Sequence, residues 1–123
     1  MTSPGSKSRI AWEGDSRDEI RSWPDDVRQD FGLELHRLDN HEDALDSRPM
    51  APRLAGVSEL RSEDRSFWYR LLYWPHSERI YVLHCFKKKT NETSDGDIAK
   101  AKDRMQEVRR RESIAAKNKK KGA

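Results

Sequence analysis

The sequence predicts an α+β fold: a small, mostly antiparallel sheet, with N-terminal helices and a C-terminal helix packed on one face. Three observations lead there. The densest aromatic and aliphatic material falls in two adjacent runs, Phe67–Trp74 and Ile80–Lys88, rich in the residues that favour strands. Val27, Phe31, Leu35 and Leu38 recur at steps of four, four and three, which draws one apolar stripe along a helix. Ile98, Ala101, Met105 and Val108 draw a second stripe near the end of the chain.

The elements follow in order. Residues 1–8 read as a disordered N-terminus. Arg9-Ile-Ala-Trp-Glu13 suits a short first strand. Ser16-Arg-Asp-Glu19 has the form of a capping box, opening a helix that Pro24 cuts short. Pro24 then suits the first turn of a second helix, and Asp25 and Asp26 favour its positive N-terminal end. Residues 43–53, with Pro49 and Pro52, read as a loop. Val57–Ser62 is the next strand, and Glu63–Arg65 the turn after it. Pro75–Arg79 joins the two aromatic strands as a hairpin. Ser94 and Asp97 form a second capping box, which starts the last helix. The expected organisation is one domain over 9–112 and a basic tail over 113–123.

Composition narrows the function classes. Of 123 residues, 33% are hydrophobic and 38% charged, so the core must be small. No run of about 18 apolar residues exists to cross a membrane. The first residues lack the apolar stretch of a secretory signal, and Cys85 is the single cysteine. A cytoplasmic protein without metal or other cofactor is the expectation. The net charge of +3 hides two poles. Residues 13–46 hold twelve acids against four bases, a net of −8, whereas 66–90 carry +4 and 109–121 carry +6. A basic pole on an otherwise acidic body points to nucleic acid.

The strands carry the chemistry. Arg70 lies within the first aromatic run, and the second ends in Lys87, Lys88 and Lys89. RNA can be cut without metal when its 2′-hydroxyl attacks the adjacent phosphate. The enzyme must align that attack and stabilise the charge growing on the phosphoryl oxygens. Arginine matches phosphate geometry and keeps its charge, while aromatics stack splayed bases. Arg70, Lys88 and His84 are therefore the catalytic candidates. Arg61, Arg65, Tyr69, Lys87, Lys89 and Thr90 are the candidates for RNA contact. The competing roles are structural: a cross-strand ion pair of Arg70 with Glu59 or Glu78, a satisfied histidine at position 84, and packing for Tyr69. Alternation places His84, Phe86 and Lys88 on the face of Ile80 and Val82, unless a bulge swaps them.

Leu60-Arg61, Tyr69-Arg70-Leu71-Leu72-Tyr73, Tyr81-Val-Leu-His-Cys-Phe-Lys-Lys-Lys-Thr90 and Asp97-Ile-Ala-Lys-Ala-Lys-Asp-Arg104 resemble the phage-derived branch of the RelE/HigB toxin superfamily. The resemblance spans roughly 9–110. It implies a RelE-like fold and the toxin of a type II toxin-antitoxin system: a metal-independent endoribonuclease cleaving mRNA on the ribosome. It implies a helix-turn-helix antitoxin as partner, with operator DNA reached only through that antitoxin. By position, Arg70 looks like the family arginine that contacts the scissile phosphate, and Lys88 like the basic residue closing the last strand. The chain departs from the pattern in having no tyrosine after Tyr81, which leaves the acid and base unassigned. The alternative is a non-catalytic RNA- or ribosome-binding module on the same fold.

Overall fold

A computed structural model describes residues 8–121, so the expected disordered N-terminus lies, apart from Ser8, outside the described residues. The elements are β1 (Ile10–Trp12), α1 (Ser16–Arg21), α2 (Asp25–Asp39), β2 (Ser47–Pro49), β3 (Ser58–Glu63), β4 (Trp68–His76), β5 (Arg79–Lys88) and α3 (Asp95–Lys121). The strands form one open, mixed sheet of five in the order β1-β5-β4-β3-β2. β1 runs parallel to β5, and the other pairs are antiparallel. The aromatic strands β4 and β5 lie at its centre, where their bulky side chains find neighbours on both faces.

The helices do not share a face, and here the expected arrangement is corrected. α1 and α2 cover one side, where Ile20, Trp23, Val27, Phe31 and Leu35 pack on Leu60, Tyr69, Leu71, Tyr73 and Val82. α3 covers the other side, where Ile98, Ala101, Met105 and Val108 pack on Leu72, Trp74, Tyr81 and Leu83. The reason lies in β4. Leu71 and Tyr73 point one way and Leu72 and Trp74 the other, so both faces carry apolar area that water would penalise.

Smaller corrections follow from local geometry. The first capping box does not form. Asp15 occupies the cap position without a side-chain capping hydrogen bond, Ser16 is buried in the first turn, and Glu19 instead accepts from Trp23 Nε1 at 2.8 Å. The 43–53 segment contains β2, an exposed edge strand with no apolar signature. The second capping box is present: Asp97 N–H donates to Ser94 Oγ at 3.1 Å, and Ser94 N–H donates to Asp97 Oδ2 at 3.3 Å. The residues expected as a basic tail continue α3 as far as Lys121.

The pairing of β4 with β5 slips once. Leu72 faces His84 while Tyr73 faces Val82, so Leu83 is an extra residue, a β-bulge. Its carbonyl accepts from Arg104 Nη1 at 2.7 Å. Beyond the bulge the alternation is reversed. Phe86 packs with Leu83 and Tyr81 on the α3 side rather than with Ile80 and Val82, and His84 stacks on Phe86 with ring centroids 4.8 Å apart.

Candidate functional site

α3 covers only part of its side of the sheet. Its first turn sits near the ends of β3, β4 and β5, and there the sheet presents charged groups among apolar ones. Three cross-strand rows face that side: Glu59, Leu72 and His84; then Arg61, Arg70 and Phe86; then Glu63, Trp68 and Lys88. Arg70 and His84 are thus diagonal neighbours on β4 and β5, a relation that corresponds to about 7–8 Å between backbone positions.

Arg70 is buried. Its Nη1 donates to Glu59 Oε1 and its Nη2 to Asn91 Oδ1, both closely. Glu59, also buried, accepts from Thr93 Oγ1 at 3.3 Å and has Arg61 Nε at 4.0 Å. Of the two competing ion pairs weighed for Arg70, the one with Glu59 therefore exists. Arg70 Nε remains buried without a partner among the described residues.

His84 is the other centre. Its Nε2 lies 2.8 Å from Asp97 Oδ1, and both side chains are buried. Asp97 Oδ2 takes Ser94 Oγ at 2.7 Å and Lys88 Nζ at 3.0 Å. Burial alone would raise the Asp97 carboxyl. Hydrogen bonds from Ser94, His84 and Lys88 overcome that and hold it at about 2, so it is ionised at neutral pH. Burial lowers the His84 pKa, against the pull of Asp97, with Arg104 and Lys100 adding to the lowering. A neutral imidazole beside a carboxylate carries its proton on Nε2 and donates it there. Nδ1 is then a bare lone pair, and it too is buried with no partner among the described residues.

The segment after β5 closes this end. Asn91 sits on Arg70, Thr93 on Glu59 and Ser94 on Asp97. Beside it opens a cleft of about 250 Å³ lined by Asp46, Arg61, Ser62, Glu63, Trp68 and Asn91. Lys88 is partly exposed, with its ammonium 5.8 Å from the Phe86 ring centroid.

The structure thus brings Arg61, Arg70, His84 and Lys88 together on the α3 side. It does not bring Tyr69 or Lys87 there. Tyr69 is buried on the α1–α2 side, where its hydroxyl donates to Asp64 at 2.8 Å, and burial pushes its pKa up to about 12. Lys87 is exposed, with its ammonium 4.6 Å from the centroid of Phe67, a ring of that same side. Arg65 is exposed in the β3–β4 turn, and Lys89 and Thr90 are exposed just past β5. The buried Cys85 thiol is pushed up by burial, which removes its nucleophilic form. Among the described residues no three His, Cys, Asp or Glu side chains converge as metal ligands, and no helix is long and apolar enough to cross a membrane.

Sequence reasoning missed Glu59 and Asn91 as site members and saw Asp97 chiefly as a cap. The available signal was the second capping box. A carboxylate that caps with one oxygen has the other free, and α3 begins beside the end of β5.

No curated protein and no solved structure matches the chain. The profile of the family described as Phage derived protein Gp49-like (DUF891) matches residues 18–106, which take in α2, β2 to β5, most of α1 and the sheet-packed start of α3. The chain belongs to that phage-derived, Gp49-like family.

Proposed function

We propose that this protein is an endoribonuclease toxin of the RelE/HigB type, cutting mRNA by attack of a 2′-hydroxyl on the neighbouring phosphate. Membership of the Gp49-like family supports a toxin-like role. The observation that carries the reading is the pair of buried, partnerless atoms on diagonal neighbours: a guanidinium donor at Arg70 Nε and an imidazole lone pair at His84 Nδ1. Buried polar atoms are nearly always satisfied, so a donor and an acceptor left open together suit a ligand that offers both.

In this mechanism Asp97 fixes the imidazole through Nε2, and Nδ1 takes the proton of the 2′-hydroxyl. The new 2′-oxygen–phosphorus bond forms as the bond to the 5′-oxygen breaks, and that oxygen takes its proton from water. Arg70 and Lys88 meet the charge on the phosphoryl oxygens, and Arg61 lies at the mouth of the adjoining cleft. RNA enters as residues 89–94 lift from Arg70. A helix-turn-helix antitoxin that covers this surface would block entry.

One observation favours the alternative, a non-catalytic RNA-binding module. Arg70 is already neutralised by Glu59 and closed over by Asn91, so its charge as found serves the fold. Purified protein with translating ribosomes separates the two readings. Cleaved mRNA is expected, falling by about 10²–10⁴-fold in His84→Ala, the range for a lost general base. Ribosome binding without any cut message would remove the catalytic reading.

A further inference from the structure

α3 outruns the sheet it covers. Its buried residues end at Val108. Its last anchors are Arg111 Nη2 to Glu13 Oε1 at 2.7 Å and Glu112 Oε1 to His76 Nε2 at 2.8 Å. From Ser113 to Lys119 every residue is exposed. Residues 113–121 contain Lys117, Lys119, Lys120 and Lys121 and no acid. The family match also stops earlier, at residue 106. From Ser113 to Lys119 the helix therefore runs beyond the matched family region, exposed and packing on no other described residue.

We propose that residues 113–121 form a helical arm that grips RNA by its phosphates, remote from the cleavage site. The choice of RNA among polyanions rests on the function proposed above. Geometry excludes the acidic surface of this chain's own α1–α2 as a covering element, because α3 lies on the opposite side of the sheet. A membrane surface is a poor occupant. Ile114 is the one large apolar residue of the arm, and an interfacial helix needs an apolar stripe.

Geometry sets the length of RNA required. At about 1.5 Å per residue, the helix carries the lysines roughly 30–36 Å from Asp97. A stacked strand at about 3.4 Å per nucleotide covers that span in about ten nucleotides. Long RNA can touch site and arm together, whereas short RNA in the site cannot.

The test compares the full chain with the K117Q/K119Q/K120Q/K121Q variant. Binding of uncleavable 2′-O-methyl RNA of about 20 and about four nucleotides is measured across a salt series, with self-association followed by sedimentation. With about 0.7 counterions released per phosphate contact, the plot of log affinity against log salt should flatten by about 2–3 for the long RNA. Its affinity should fall more than about tenfold at low salt, while the short RNA is unaffected. Equal losses on both lengths, or no loss on either, would overturn the arm. So would loss of self-association without change in RNA binding, since the arm would then grip the acidic helices of a second copy. Arm-dependent binding by a protein that never cuts RNA leaves the arm standing and removes only the nuclease.

Discussion

Arg70 and Glu59 are held as a buried pair, and breaking such a pair leaves one charge without solvent or partner. Arg70→Ala is expected to cost about 3 kcal/mol in chemical denaturation, because Glu59 is stranded. Removing both charges with Arg70→Met and Glu59→Leu should restore most of that stability and none of the cleavage. Restored cleavage in the double variant would place the arginine outside the mechanism. His84 gives a second expectation, with a defined sign. Its folded-state pKa lies below the ordinary 6.5, chiefly through burial, so as pH falls the unfolded chain takes up the proton first. The stability tied to neutral His84 is present above 6.5 and is lost as pH falls through the folded value. Cleavage should follow the same neutral form, holding at pH 7 and failing in acid with a midpoint below 6.5. A pH–rate profile with its acid midpoint above 6.5 contradicts this assignment of the base. At the residue scale the sequence already marked Arg70, His84 and Lys88. It did not show that Asp97 joins two of them, because that contact needs the last helix folded back onto β5.

At the scale of elements, the β4–β5 hairpin turns on Ser77 and Glu78, both with positive φ, 51° and 66°. Two consecutive left-handed residues suit an asparagine followed by a glycine, and neither Ser nor Glu favours that region. The double substitution Ser77→Asn with Glu78→Gly should stabilise by about 1 kcal/mol, or about 4 °C in Tm, without altering cleavage; a fall in Tm would refute it. Strong elements were legible because each carries its own pattern: the stripe of α2, the aromatic run of β4, the capping box before α3. β2 was not legible. Ser47, Arg48 and Pro49 are all exposed, and their strand geometry comes only from pairing with Leu60, Glu59 and Ser58. The Ser16 capping box failed for a comparable reason. Gly14, at φ +55°, turns the chain so that Asp15 takes the cap position and Ser16 enters the core, while Arg104 closes over the turn. An apolar stripe shows that a helix packs, but not on which side, and α3 took the side left open by α1 and α2.

For the whole molecule, the sheet is the shared wall of two cores, and β4 and β5 are buried against both. Their amides should exchange most slowly in a native-state hydrogen-exchange experiment, near the global unfolding limit. Amides from Ile114 to Lys119 should exchange far faster, since a single unpacked stretch of helix is marginal in water. Slow exchange there in the free protein would mean that something already covers the arm. Protection gained on adding long RNA would show the arm ordering on its ligand. Charge follows the same division. The acidic helices lie on one side of the sheet, and Arg61, Arg70, Lys88 and the start of α3 lie on the other. A polyanion bound by Arg61, Arg70 and Lys88 would therefore approach from the α3 side.

The extra residue at Leu83 makes the strand a splice between two reading frames. Up to Val82, odd and even positions address one pair of surfaces, and from His84 onward the assignment is exchanged. Deleting that single leucine would leave composition, charge and strand propensity nearly untouched. It would also make Val82 and His84 neighbours in an unbroken ladder, so His84, Phe86 and Lys88 would keep the α3 side beside Asp97. The chemistry of this surface therefore depends on the bulge that absorbs Leu83, because a regular ladder that kept the leucine would turn His84, Phe86 and Lys88 toward α1 and α2.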